Sequence, residues 1–292
     1  MGLHRKDKRL KQLLLLFPAS LFALAFLLPT VLTVANSFMK QSELFENYGV
    51  LYGAERAAAG NVNLKLIPDE VSFSQYATVL LKSPDYLFKF WNSVILVVPI
   101  VLFQLVVALL AAYGFTRWRG RLRELLFFAY IVLMLMPYQV TLVPNYLVSE
   151  RLGLLNTRWA IWLPAIASPF SVFLLAKYMR RIPESYNEAA QLDGAGRWQV
   201  FLYIYVPLCK SILFSVAILL FIDYWNMVEQ PLVLLRDAMK QPLSVYLSAV
   251  NARELGIAFA AATIYMIPCG LLFFYGEEYL VQGITYSGGI KS

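Results

Sequence analysis

Charge is scarce in this chain. Of 292 residues only 15% are Asp, Glu, Lys or Arg, against 60% hydrophobic, and the mean hydropathy is +0.61. Such a composition lies well outside soluble globular usage and marks a polytopic membrane protein. Histidine occurs once, at His4, so neither a structural nor a catalytic metal site is expected. The two cysteines, Cys209 and Cys269, fall in or beside apolar segments and read as buried inert thiols rather than a disulfide framework. No G-x-x-x-x-G-K-S/T phosphate loop occurs, and the nearest string, Gly289-Ile290-Lys291-Ser292, lacks the first glycine at its spacing. The H-E-x-x-H and G-x-S-x-G patterns are missing too, which leaves no enzyme and no cofactor to expect. No repeat at solenoid period and no low-complexity tract is present.

Long hydrophobic runs are what the chain has instead. At about 20 apolar residues per spanning helix, its length holds about six spans plus loops. The basic stretch Arg5, Lys6, Lys8, Arg9 and Lys11 precedes an uncharged run over 13–35, too long for a signal peptide and therefore an uncleaved first helix. Further spans are expected over 91–115, 125–147, 159–179 and 207–228, with a sixth ending near Gly276. Pro99, Pro137 and Pro144 lie inside these runs, and membrane helices tolerate proline where neighbours satisfy the freed carbonyl. Residues 38–90 mix charge, Gly and Pro and read as an external segment of irregular structure, and 229–254 as a second polar stretch. The division is thus 1–37, basic segment and first helix; 38–90, external; and 91–292, a core of five helices that contains the polar interruption at 182–207.

The formal charge of +7 is a topology signal here, not a nucleic-acid signal. With six spans, 15 basic residues fall on the side of the termini and 10 on the other, and five of those 10 belong to the long 38–90 loop, four of them in its interior or at its far edge where they count little. Both termini and the polar interruption at 182–207 are therefore expected in the cytoplasm. Trp91, Tyr113, Trp118, Trp159 and Trp162 near span ends read as interface anchors.

The interruption between spans four and five is the most informative stretch. Its local chemistry predicts two short helices about a glycine hinge. Pro183 suits a helix start, Ser185 and Glu188 fit a capping box, and Gly194 suits a left-handed cap at a helix end. Glu188-Ala189-Ala190, three residues, Gly194, nine residues, Ile204, one residue, then Val206-Pro207 closely resembles the E-A-A-x3-G-x9-I-x-L-P signature of permease subunits of bacterial ATP-binding-cassette importers, with Val206 in place of Leu. Leu152-Gly153-Leu154-Leu155-Asn156-Thr157, Asp193-Gly194-Ala195, Trp225-Asn226 with Pro231-Leu232, and Gly288-Gly289-Ile290-Lys291 resemble the carbohydrate-uptake branch, in particular the six-span maltose-type permease. The likeness covers about residues 92–292.

That resemblance implies a multi-pass protein of the bacterial cytoplasmic membrane. It also implies two ATPase subunits, a second homologous permease and an extracytoplasmic solute-binding protein as partners, with lipid around the bundle. Glu188, Ala189, Ala190, Asp193, Gly194, Ala195, Ile204 and Pro207 would form a coupling helix and its flank, docked on an ATPase. Asp223, Trp225, Asn226 and Glu229 stand close together at the end of the fifth run. They suit either a path for a hydroxyl-rich solute, with Trp225 as a stacking surface, or hydrogen bonding between packed helices. A stand-alone ion-coupled transporter is the alternative function, and Asp223 is its one clear candidate ligand.

Overall fold

The computed structural model describes residues 3–52, 62–82, 84–248 and 254–288. Every regular element among them is helical. In chain order these are α1 (Leu3–Asn36), α2 (Gln41–Tyr48), α3 (Ser74–Ala77), α4 (Pro84–Arg117), α5 (Arg121–Leu135), α6 (Tyr138–Arg151), α7 (Trp159–Ile166), α8 (Pro169–Met179), α9 (Ser185–Leu192), α10 (Arg197–Leu208), α11 (Lys210–Trp225), α12 (Glu229–Leu234), α13 (Leu243–Ser248) and α14 (Leu255–Gly288), with short single turns between some of them.

Four stretches are long and apolar enough to cross a membrane: Leu16–Ser37, Asp85–Arg117, Trp159–Met179 and Leu255–Val281. The pairs α5/α6 and α10/α11 reach that length only as bent spans, with bends of 103° and 70°, so the described residues hold four to six spans. The continuous third span expected over 125–147 is therefore corrected to two helices. The reason is local: a residue before proline is driven out of the helical region, and Met136 (ψ 124°) and Pro137 (ψ 141°) are both extended. The same device acts at Ser168 (ψ 128°) before Pro169, where α7 gives way to α8. In the bent pair that takes the place of the expected fifth span, the second helix runs from Lys210 to Trp225, so Asn226 and Glu229 lie beyond it. The last helix extends past Gly276 to Gly288. Gly289, Ile290 and Lys291 of the family-like tail lie outside the described residues.

Two compact units are distinguishable: Met1–Leu87 with Ala249–Met266, and Phe88–Ser248 with Ile267–Ser292. In the first, the side chains of α1 from Leu16 to Phe26 are exposed, as suits a helix whose solvent is lipid. Among the described residues that follow, 37–52 and 62–82, there is regular structure that the composition does not imply. Leu44 and Tyr48 of α2 are buried with Met39 and Leu255 and pack on Phe259. Polar clips fasten it: Asn36 Nδ2 donates to the Tyr48 hydroxyl at 2.8 Å, the Gly256 amide donates to Gln41 Oε1 at 2.8 Å, and Gln75 Nε2 donates to the Met39 carbonyl. Gly256 is required by this approach, because a Cβ there would stand 2.7 Å from Gln41 Oε1 and 2.9 Å from Gln75 Cγ.

In the second unit, α4 and α8 are joined by a fully buried hydrogen bond from Gln104 Nε2 to Ser171 Oγ, 2.8 Å. Trp162 Nε1 donates to the Leu96 carbonyl at 3.2 Å. Helices α11 and α14 touch where Ser215 Oγ donates to the Tyr279 carbonyl (2.5 Å) and where Gly276 faces Ile218. Asn156, in the string that resembles carbohydrate permeases, adopts φ 61° and serves as a backbone junction. Its amide donates to the Leu234 carbonyl (2.9 Å), its Oδ1 accepts from the Asp237 amide (3.0 Å) and its carbonyl accepts from Lys240 Nζ (3.0 Å). Asparagine tolerates this left-handed region better than other side chains, which accounts for its presence here.

Candidate functional site: an exposed helical loop and a polar cavity

The interruption folds as the two helices α9 and α10. Helix α9 ends in a Schellman motif. Gly194 sits at φ 81°, the Ala195 amide donates to the Ala190 carbonyl at 2.9 Å and the Gly194 amide to the Gln191 carbonyl at 3.1 Å. The expected capping box at Ser185 is corrected: Ser185 is already helical and the helix start has no side-chain cap. The Glu184 carboxylate is engaged elsewhere. It accepts from Arg117 Nη1, 2.7 Å to each oxygen, and from Asn187 Nδ2 at 3.1 Å. The Arg117 guanidinium, donating to it, holds the Glu184 carboxyl below the usual carboxylate range.

This ion pair ties the end of α4 to the start of α9 and sets which face of α9 turns outward. Asn187 is buried, whereas Glu188, Ala189, Leu192 and Asp193 are exposed, Leu192 at 88%. Beyond the hinge, α10 widens through a single turn of π-helix, Phe201–Tyr205, just before Pro207, which has no amide hydrogen to offer the preceding turn. Tyr113 of α4 braces this segment: its hydroxyl donates to the Arg197 carbonyl at 3.3 Å, and its ring lies 4.9 Å from Phe201 and 5.1 Å from Tyr205. Tyr113 is therefore a packing residue of the loop as well as a span-end aromatic. A hollow of about 270 Å³ is lined by Asp193, Gly194, Ala195 and Ile204 with Gln199, Val200 and Tyr203. Trp198, Leu202 and Tyr203 are exposed beside it. Asp193, Gly194, Ala195 and Ile204 thus come together at this hollow, Glu188, Ala189 and Ala190 lie on the helix that leads into it, and Pro207 lies at the end of α10 next to the 70° bend.

A second hollow, about 1040 Å³, opens among α5, α6, α7, α8, α11 and α12. Asp223, Asn226 and Glu229 line it, joined by Tyr138, Thr141 and Asn145 from the broken third span. Gln139 Nε2 reaches both Glu229 carboxylate oxygens, at 3.5 and 3.3 Å. Trp225 stands apart from the other three. It is 1% exposed, stacked on Phe221 with ring centres 5.0 Å apart and met edge-on by Phe90 at 5.8 Å, so its ring is spent on packing and does not line the hollow. The contributions of Tyr138, Thr141 and Asn145 were not visible in sequence. The one signal for them was the Pro137 and Pro144 pair, which marks a span that leaves its helical path.

Residues 104–286 match the profile of the binding-protein-dependent transport system inner membrane component family. The chain belongs to this family. Among curated members, it is 31% identical to the lactose transport system permease protein LacG of Rhizobium radiobacter over 69% of this chain and 74% of that one. It is 25% identical to the arabinooligosaccharides transport system permease protein AraQ of Halalkalibacterium halodurans, over 99% of this chain and 100% of that one. A crystal structure of a bacterial ABC transporter involved in import of the acidic polysaccharide alginate contains a chain with 25% identity, a TM-score of 0.78, and coverage of 94% of this chain and 97% of that one. Membership makes this protein an inner-membrane permease component, the non-catalytic part of a binding-protein-dependent transporter, and it agrees with the several apolar helices of the fold.

Proposed function

We propose that this permease component is one half of the translocation path of an ATP-driven importer of mono- or oligosaccharides or related polyols. In this reading it has six spans, both termini in the cytoplasm, an external segment over 38–90 and a core over 91–292 containing the coupling loop 182–207. Two ATPase subunits, a second homologous permease and an extracytoplasmic solute-binding protein complete the machine. The sugar-named relatives support the substrate class. The observation that carries the coupling assignment is the loop itself: an exposed helix α9, anchored at one end through Arg117 and Glu184 and ended at Gly194 by a left-handed cap.

A force applied to α9 passes through two routes. One is the Arg117 ion pair into α4, and the other is α10, whose hydrogen bonds continue through Cys209 into α11 (Cys209 amide to Tyr205 carbonyl and Leu213 amide to Cys209 carbonyl, both 2.9 Å). Closure of an ATPase dimer around α9 would therefore tilt these spans together, and the hollow bearing Asp223, Asn226 and Glu229 would change access from one side to the other. Glu188, Ala189, Ala190, Asp193, Gly194, Ala195, Ile204 and Pro207 are the proposed coupling residues; Asp223, Asn226 and Glu229 are the proposed path residues. Trp225 supports the path wall from behind.

The test is co-purification followed by reconstitution. Tagged chain is expected to bring down a nucleotide-binding subunit and a second permease, and the assembly to take up neutral oligosaccharides such as lactose or raffinose with ATP. Gly194→Pro and Glu188→Lys should leave membrane insertion intact and uncouple hydrolysis from uptake. Normal uptake by either variant would refute the coupling role, and uptake by the purified chain alone on an ion gradient would replace the whole reading with a secondary transporter.

A further inference from the structure

The 1040 Å³ hollow has a sign of charge. Its lining holds two carboxylates, Asp223 and Glu229, and among the described residues that line it there is no Lys, Arg or His. The remaining polar groups are hydroxyls and amides, including Tyr138, Thr141, Asn145 and Asn226. The two carboxylates come together because α11 ends at Trp225 and α12 begins at Glu229, so that Asp223 occupies the last turn of one helix and Glu229 the first turn of the next. Both are exposed to the hollow rather than paired with a cation, and Glu229 is faced by the Gln139 amide, a neutral donor that leaves its charge uncompensated.

We propose that this hollow is a charge filter, which passes uncharged hydroxyl-rich solutes and holds back anionic ones such as uronates and sugar phosphates. The inference rests on the reading of the hollow as translocation path. Two like charges set in a cleft with low-dielectric walls focus their field on whatever enters it. An anion is repelled by both, whereas a neutral sugar exchanges its water hydrogen bonds for those of the hydroxyls and amides. The alginate transporter, which the chain resembles in fold, imports an acidic polysaccharide; the charge in this hollow points to the opposite preference.

The test measures the field directly, without knowledge of the natural solute. In the assembled transporter carrying Cys209→Ala and Cys269→Ala, a reporter thiol is introduced by Asn145→Cys. Its rates with a cationic and an anionic methanethiosulfonate reagent are compared with those of a free thiol. At a separation of about 8 Å, in salt that screens over a similar length, two carboxylates should favour the cationic reagent by about three- to tenfold. Asp223→Asn with Glu229→Gln should return the ratio to that of the free thiol. A ratio equal to the free thiol before that change, a ratio unaltered by it, or a reporter that neither reagent reaches would overturn the filter, and Thr141→Cys repeats the measurement if the first reporter disturbs folding. Uptake of lactose or raffinose by the assembled transporter that retains Asn145 separates the two ideas: intact uptake with no charge preference at the reporter sinks the filter alone, whereas absent uptake sinks the permease reading and the filter with it.

Discussion

The Arg117–Glu184 pair offers the sharpest quantitative test, because it is the one ionic link found between α4 and the start of α9 among the described residues. Its geometry is good, a single guanidinium nitrogen 2.7 Å from both carboxylate oxygens, but the side chains are 28% and 45% exposed. Unscreened at an effective dielectric constant near 20, two unit charges at about 4 Å would be worth about 4 kcal/mol. Partial exposure, salt and the entropy of holding two long side chains reduce such a pair to about 0.5–1 kcal/mol. A double-mutant cycle with Arg117→Ala and Glu184→Ala, read by amide hydrogen exchange along α9 in nanodiscs, should give a coupling energy of that size. It should shrink at high salt.

The pH dependence of this pair has a definite sign. Because Arg117 depresses the Glu184 carboxyl, the contribution is fully present above the ordinary glutamate range and is lost as pH falls through the lower, folded-state value. Hydrogen exchange of α9 should therefore loosen only in acid. A coupling energy of zero, or one indifferent to salt and to acid, would show that α9 is held by packing alone and that α4 is not an ionic route into the bundle.

Three other outcomes are expected. Gly194→Ala meets no neighbouring atom but forces a Cβ into a left-handed backbone, so it should cost about 1 kcal/mol at the end of α9, seen as faster exchange of the Gly194 and Ala195 amides, with Gly194→Asn milder. Gly276→Ala would place a Cβ 2.1 Å from Ile218 Cδ1, so it should lower the melting temperature, and Ile218→Val, which removes that methyl, should restore part of the loss. Trp225→Ala removes a fully buried ring and should destabilise the bundle by about 3–5 kcal/mol in thermal unfolding, whereas Asp223→Asn, exposed in the hollow, should leave the melting temperature nearly unchanged.

Much of this protein follows from rules that act within a few residues of the chain. Apolar runs of spanning length and the cap chemistry of Gly194 are local properties, and each is legible in the sequence alone. The two short helices about Gly194 were legible for the same reason, since proline, cap and glycine signals act within a turn or two of chain, although the capping box read at Ser185 did not form. What the sequence could not determine depends on which surfaces meet. The break at Pro137 is itself local, since Met136 and Pro137 are both extended, whereas the 103° between α5 and α6 was not legible in the sequence. Glu184 could have been a solvated charge, but α4 delivers Arg117 to it across 67 positions of chain. Trp225, Asp223 and Asn226 are neighbours in sequence, yet a helical turn sends their side chains to different sides. The ring enters the core, and the carboxylate and amide face the hollow together with Tyr138, Thr141 and Asn145. Local sequence sets what each segment can be, while the meeting of helices distant in the chain sets which groups share a site.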